Sequence, residues 1–223
     1  MIIDWRDNQY KWVASARYNT FLLLLNDNGT FDTADDRIKT RKEWTNQYGQ
    51  LFQQQYIYAT LQDRTGNVWI CTEQGAAYIQ AQTDYFQSDA IVQPDIIENG
   101  ESVLNSQQIT STVQDKRGSI WLGTQSLGVY VLNGGATEIT EHYTTDNTAM
   151  PSNCILSMAY DVQTDRVYIG TSEGLIEYDP NGSESGLSES EQNFGEDDLL
   201  PGRILQWTPS LDRKSGSAGM PRP

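Results

Sequence analysis

The chain has 223 residues, long enough for one sizeable domain with a hydrophobic core. It carries 15 Lys and Arg against 30 Asp and Glu, a net charge of −15, and residues 1–180 alone hold 11 basic and 23 acidic side chains. Such an acidic surface repels nucleic acid and anionic membranes. The longest wholly apolar run, Phe21 to Leu25, is far shorter than the ~20 residues that cross a bilayer. We expect no nucleic-acid partner and no membrane span in this chain. Because "MIIDWRDNQY" has no basic n-region and no long apolar stretch, we also expect that residue 1 does not begin a signal peptide.

One pattern recurs along the chain with a period of 46–52 residues. The strongest copies are "DRTGNVWICTEQG" and "DKRGSIWLGTQSLG", in which Trp69 and Trp121 are 52 residues apart. A period in this range is typical of β-propeller blades. The pattern predicts an all-β fold, a partial β-propeller of three to four blades.

In chain order, the first predicted repeat (near 1–50) is degenerate, with Asp4 and Trp12 in the matching roles and a start in mid-blade. The second (51–105) and third (106–150) are complete, and the fourth (151–180) has one extra residue between its aspartate and its aromatic residue. The repeat-motif residues are Asp63, Gly66, Trp69, Thr72, Gly75, Asp115, Gly118, Trp121, Gly123, Thr124, Gly128, Asp161, Tyr168, Gly170, Thr171 and Gly174.

Each copy predicts three strands joined by two turns. The aspartate of "DRTG" or "DKRG" can accept hydrogen bonds from the turn backbone, and the glycine can adopt a positive φ. The following strands, "NVWICT" and "SIWLGT", are apolar on both faces. Such a strand lies in a sheet that is packed between two others, so the sequence predicts blades that are stable only beside their neighbours.

The two good copies differ where Cys71 replaces the glycine equivalent to Gly123. A mid-strand glycine indicates a close approach by another part of the chain, so the blade with the cysteine should have slightly more room. We expect Cys71 and Cys154 to be free thiols acting as small apolar strand residues, because two cysteines are too few for a disulfide framework.

Residues 181–223 differ from the repeats. "NGSESGLSESEQNFGEDDLLPG" is rich in Ser, Glu and Gly, and "RKSGSAGMPRP" ends the chain with small and basic residues. Neither segment has strand periodicity, which predicts a flexible, disordered tail that is first acidic and then basic.

The loop "NDNGTFDTADDR" is a candidate cation site. Asp27, Asn28, Asp32, Asp35 and Asp36 supply closely spaced oxygen ligands of the kind that Ca²⁺ prefers. The glycine lies too early for an EF-hand. The alternative is a hairpin turn that follows the apolar strand "FLLLL". Both interpretations stay open at this point, and no other cofactor is expected.

Single chemistry-bearing residues are few. His142 is the only histidine, which excludes a histidine-rich metal site. We expect it to lie in a linker, either hydrogen-bonded or exposed to solvent. Five tyrosines crowd the first quarter of the chain and could stack on sugars, although half-buried strand positions are the commoner use. They are Tyr10, Tyr18, Tyr48, Tyr56 and Tyr58. No cluster of acid, base and nucleophile departs from the repeat, so a propeller enzyme is the weakest class and no catalytic residue is predicted.

The segments "QDRTGNVWICTEQG" and "QDKRGSIWLGTQSLGVYVL" resemble the two-component regulator propeller repeat. The segments between them, such as "EITEHYTTDNTAMPSNCILSMAYD", look like PorZ-type propellers of the type IX secretion system, over about residues 1–180. That family continues into a small β-sandwich, and nothing similar follows Pro180.

The resemblance implies a non-catalytic binding or scaffold propeller outside the cytoplasm, at the cell surface or in the periplasm. Its implied partners are a glycan or lipopolysaccharide, a protein of the secretion machinery, or both. The alternative implied by the same repeat is a periplasmic, glycan-sensing propeller of a hybrid two-component regulator. A kinase and membrane span downstream would favour the sensor, and a β-sandwich would favour secretion.

Overall fold

A computed structural model describes residues 1–15, 21–53, 56–98, 101–105, 107–179 and 203–207. Within these ranges every regular element is a β-strand, and none is a helix that could cross a membrane. The strands form antiparallel sheets in chain order, which confirms the predicted all-β fold.

The first sheet has the order β1-β2-β3-β4. Its strands are β1 (Ile2–Ile3), β2 (Tyr10–Ser15), β3 (Phe21–Asn26) and β4 (Arg37–Arg41). Strand β1 has two residues, where the first strands of the other three sheets have six or seven, and it pairs with β2 to give this sheet a fourth strand. Its brevity explains why the sequence pattern hides it.

The second sheet contains β7 (Ile57–Gln62), β8 (Val68–Thr72) and β9 (Gly75–Ile79). An isolated bridge between Tyr78 and Val92 adds pairing at its outer edge. Two small hairpins flank this sheet in sequence. They are β5 (Glu43–Thr45) with β6 (Leu51–Gln53), and β10 (Ile97–Glu98) with β11 (Glu101–Ser102).

The third and fourth sheets each have four strands in chain order. The third holds β12 (Ile109–Gln114), β13 (Ile120–Thr124), β14 (Val129–Leu132) and β15 (Ile139–Tyr143), and the fourth holds β16 (Ile155–Asp161), β17 (Arg166–Thr171), β18 (Gly174–Asp179) and β19 (Arg203–Trp207). Strand β19 lies inside the segment predicted to be a strandless tail, so that prediction is wrong for Arg203–Trp207, which pairs with β18. The rest of the predicted tail lies outside the described residues.

Three apolar clusters join the four sheets in series. The first lies between sheets one and two around Trp12 and Ile70, the second between sheets two and three around Trp69 and Leu122, and the third between sheets three and four around Trp121. The first strands β7, β12 and β16 also contact one another in that order. Among the described strands the fourth sheet makes no comparable contact with the first, so the four blades form an arc.

Burial along the strands follows their place in the arc. Every residue of β8 and β13 is buried, as predicted for sheets covered on both faces. In contrast, β17 alternates between buried and half-buried residues, because only one face of the last sheet has a neighbour. Likewise, Leu22 and Leu24 of β3 are buried whereas Leu23 and Leu25 are half-buried.

Candidate functional site

The motif aspartates and tryptophans form buried hydrogen-bonded pairs. The indole Nε1 of Trp69 donates to Asp63 Oδ2 over 2.9 Å, and that of Trp121 donates to Asp115 Oδ2 over 3.1 Å. The second carboxylate oxygen accepts from turn amides, including those of Asn67 and Ser119, each at 2.9 Å. Each aspartate thus ties its turn to the next strand, which is a structural role.

The Thr-x-x-Gly part of the motif closes the second turn. The hydroxyls of Thr72, Thr124 and Thr171 each donate over 2.9 Å to the carbonyl of the motif glycine that follows. Each threonine oxygen also accepts from an amide within the same turn. The three copies share this geometry although the turn in the third blade is one residue longer.

The outer copies lack the aspartate–tryptophan pair. In the fourth blade Asp161 accepts from Thr164 and Gln163 in its own turn, while Tyr168 is half-buried. In the first blade the Asp4 carboxylate is paired with Arg6 at 2.8 Å. Burial opposes ionisation of Asp4, but the hydrogen bonds from the Arg6 guanidinium and backbone amide outweigh it, and the pKa of Asp4 is lowered.

The cysteine and the glycine of the second strands differ in their neighbours. A Cβ at Gly123 would lie 2.5 Å from Ser111 Oγ, the residue opposite it in the sheet, and 2.6 Å from Ile155 Cγ2 of the next blade. Cys71 instead lies opposite Ala59, which has no hydroxyl. The smaller cross-strand partner supplies the extra room that the sequence predicts.

The two thiols are free, as predicted, but only Cys71 lies in a strand, since Cys154 precedes β16 and is half-exposed. Complete burial raises the pKa of Cys71 to about 12. We expect an aromatic disulfide that reacts with thiols to label only Cys154 in the folded protein at neutral pH, and both cysteines in denaturant. Absorbance of the released thiolate counts the labelled cysteines, and mass spectrometry identifies them. Rapid labelling of Cys71 without denaturant would contradict the packing described for β8.

In the acidic loop the carboxylates do not converge. Asp27 is paired with Lys11, Asp35 accepts from Thr30 Oγ1 at 3.1 Å, and Asp32 accepts from the amide of Ala34 at 3.0 Å. No three acidic, His or Cys side chains among the described residues are grouped to hold a metal ion. The calcium site therefore stays a prediction without a gathered ligand set.

The alternative for this loop, a turn after the apolar strand, agrees with the backbone. Asn28 and Gly29 have φ values of 49° and 69°, and the amide of Thr30 donates to the carbonyl of Asp27 over 3.0 Å. Two successive positive φ values are the signature of a hairpin-type turn.

The single histidine lies in β15 and is satisfied. His142 Nε2 is 2.7 Å from the carbonyl oxygen of Leu127, and its ring stacks on Tyr130 with centroids 3.9 Å apart. The tyrosines are more exposed than predicted: Tyr48 is on a turn, and Tyr56 stacks on Tyr58 at the surface. Tyr10 is half-buried in β2, and Tyr18 lies outside the described residues.

A wide cleft of about 340 Å³ opens where the first blade meets the 81–86 segment. We name it the arginine cleft, and its principal side chains are Arg6, Tyr10, Arg37, Asp84, Tyr85 and Phe86. The Arg37 guanidinium lies 4.0 Å from the centroid of the Phe86 ring. Arg6 is held by Asp4, Tyr85 and the carbonyl of Ala81. The cleft thus combines aromatic faces with charges of both signs.

Sequence reasoning missed this cleft apart from Tyr10. Arg6 lies in the bend after β1 and Arg37 at the start of β4, and two of the aromatic rings come from "TDYF" in a loop between blades. An aromatic pair within an otherwise polar loop is the only local signal.

The two complete copies of the repeat match a family model. Residues 51–74 and 103–126 match the two-component regulator propeller model. Both matched segments contain an aspartate–tryptophan pair and the threonine that closes the next turn. These two segments are therefore similar to the two-component regulator propeller repeat. The first and fourth blades, which lack the pair, lie outside the matched residues.

Solved structures share the propeller fold. PorZ, described as an essential bacterial surface component of the type IX secretion system of Porphyromonas gingivalis, is 29% identical with a TM-score of 0.70, over 82% of this chain and 26% of that chain. The extracellular domain of a hybrid two-component system from B. thetaiotaomicron is 14% identical with a TM-score of 0.58, over 88% of this chain and 25% of that chain. This chain spans about a quarter of each. No curated protein matches the chain.

Proposed function

We propose that these repeats form a non-catalytic binding or scaffold module outside the cytoplasm, similar in role to the secretion component PorZ. The similarity to PorZ carries the proposal, because its identity of 29% and TM-score of 0.70 exceed those of the sensor domains. Each motif aspartate accepts hydrogen bonds from the backbone of its own turn, which supports a structural role for the repeat. We therefore look for ligand binding in the clefts and not at the motif residues.

The arginine cleft is the proposed contact for an anionic glycan such as lipopolysaccharide. Arg37 is exposed and lies over Phe86, so its guanidinium can reach a phosphate or carboxylate group. Tyr10, Tyr85 and Phe86 supply faces on which a sugar ring can stack. Because residues 1–180 carry a net negative charge, the protein as a whole does not attract an anionic glycan over a long range. The attraction proposed here is a short-range ion pair between Arg37 and the glycan.

The test is binding of purified, detergent-dispersed lipopolysaccharide by thermophoresis. We expect Arg37→Gln to weaken binding about tenfold or more, because a hydrogen bond to a charged group contributes about 1.5–3 kcal/mol. Arg64→Gln is the matched control, since Arg64 is an exposed arginine between the second and third blades. Undetectable binding by the native protein, or equal losses in the two variants, would count against the proposal.

A sensor of the hybrid two-component kind is the second candidate. The name of the matched repeat model favours it, and so does the fold shared with the hybrid-system domain at a TM-score of 0.58. The gene sequence downstream separates the two proposals. A membrane span followed by a kinase would support the sensor, whereas a β-sandwich would support the surface component.

A further inference from the structure

A second concavity of about 280 Å³ lies between the β5–β6 turn, the 93–95 segment and the end of the 101–105 segment. We name it the amide pocket, and its lining residues are Asn46, Tyr48, Gln50, Gln93, Asp95 and Asn105. Every one of these side chains carries a hydrogen-bonding group, and none is cationic. The pocket shares no lining residue with the arginine cleft.

Asn46 organises the donors of the pocket. Its buried side chain accepts from the amides of Tyr48 and Gln50, and its Nδ2 donates to the Oε1 atoms of Gln50 at 3.1 Å and Gln93 at 2.8 Å. Because both glutamine oxygens are engaged by Asn46, their Nε2 groups are left as donors. Within the described part of the chain neither Nε2 group makes a hydrogen bond. The Gln47 side chain also donates to the backbone carbonyl of Gln93 and accepts from its backbone amide. These two hydrogen bonds hold the β5–β6 turn against the 93–95 segment.

Asn105 and Asp95 supply the acceptors. Asn105 Oδ1 is buried and has no hydrogen-bond partner among the residues that the structure describes, a state that native proteins rarely leave uncompensated. Asp95 Oδ2 accepts from the Tyr48 hydroxyl at 2.8 Å, and no donor in the described ranges hydrogen-bonds to its other oxygen. This hydrogen bond also raises the pKa of Tyr48 above an ordinary value that is itself well above neutral pH, so the hydroxyl acts as a donor to Asp95.

The repeat motif itself positions Asn105. Gly75 has a φ of 110°, and a Cβ there would lie 2.6 Å from the carbonyl oxygen of Leu104. Only a glycine therefore lets the segment that carries Asn105 pass this closely over the turn. The wall with the unpartnered acceptor is thus fixed by the second blade.

We propose that the amide pocket binds an uncharged, hydroxyl-rich ligand, namely a sugar ring or a polyol of similar size. A hydroxyl group both donates and accepts, so it can pair with the glutamine donors and with the acceptors on Asn105 and Asp95. The negative charge of Asp95 disfavours an anionic ligand. The volume of the amide pocket, about 280 Å³, lies just below the range of about 300–1,000 Å³ that is usual for drug-sized ligands. The proposal does not depend on lipopolysaccharide binding, because both the residues and the ligand charge differ.

The experiment is saturation-transfer NMR on the full chain with glucose, galactose, mannose and N-acetylglucosamine, and with glucuronic acid as the charged comparator. We expect saturable binding of at least one neutral sugar and weaker binding of glucuronic acid. Asn105→Leu and Gln50→Ala should each weaken binding tenfold or more. Gln108→Ala should leave it unchanged, because that amide pairs with Gln125 on the third blade.

Thermal unfolding of each variant separates loss of binding from loss of fold. Asn105→Leu removes a buried acceptor that lacks a described partner, so we expect no decrease in Tm. If the leucine does destabilise the protein, Gln50→Ala still tests the proposal, because Gln50 is exposed. Comparing the free sugar with the same sugar at the end of an oligosaccharide shows whether the pocket takes a free ligand or a chain end. Absence of saturable binding by every neutral sugar, or full binding by folded Asn105→Leu and Gln50→Ala, would overturn the proposal.

Discussion

Replacing Trp121 with alanine will lower the free energy of unfolding by about 3–5 kcal/mol, the range for truncating a fully buried aromatic side chain. Trp121 is 1% exposed in the cluster between the third and fourth blades. Its ring packs against Tyr143 and Tyr178, with centroids 5.6 and 4.9 Å away. The substitution also removes the indole that donates to buried Asp115, which adds a cost for that carboxylate.

Tyr168→Ala is the matched control, because Tyr168 occupies the same motif position in the fourth blade but is half-buried and outside the aspartate–tryptophan pairing. We expect it to cost about 1 kcal/mol, as is usual for a single substitution away from a packed core. Guanidinium unfolding of both variants, followed by tryptophan fluorescence and circular dichroism, measures the difference. Similar losses at the two positions would contradict the view that the pair, and not the motif position, carries the stability.

The repeat could be predicted because its constraints are local. Asp63 and Trp69 are six residues apart and joined by one turn, so their hydrogen bond leaves a fixed spacing in the sequence. In the first blade the equivalent residues, Asp4 and Trp12, are eight apart, and Asp4 is paired with Arg6 instead. The longer turn and the two-residue β1 weakened the sequence pattern of this blade.

The amide pocket could not be predicted. Gln50, Gln93 and Asn105 come from three separate loops and are common polar residues without a fixed spacing. They meet only because the hairpin β5–β6 lies between the first and second blades, which periodicity does not reveal. Strand β19 was missed for a similar reason, since its pairing partner β18 is distant in sequence.

Gly128→Ala will destabilise the protein by about 2–5 kcal/mol, the sum of a left-handed backbone cost of 1–2 kcal/mol and an overpacking cost of 1–3 kcal/mol. Gly128 has a φ of 76°, and a Cβ there would approach the carbonyl oxygen of Tyr143 closer than the 3.0 Å that real Cβ atoms keep. That carbonyl belongs to β15, the neighbour of β14 in the same sheet. Because the neighbouring atom belongs to the backbone and not to the end of a flexible side chain, the backbone itself must move to accommodate the alanine.

Gly49→Ala separates the two contributions. Gly49 has a φ of 75°, almost the same as Gly128, but nothing lies within 4 Å of the position that its Cβ would occupy. We expect this control to lose only the backbone part, about 1–2 kcal/mol. Denaturant unfolding of both variants gives the difference, which measures the close approach of β15 to the motif turn. If the two alanines cost the same, backbone conformation alone explains the glycine of the repeat, and the tight contact with Tyr143 contributes nothing to its selection.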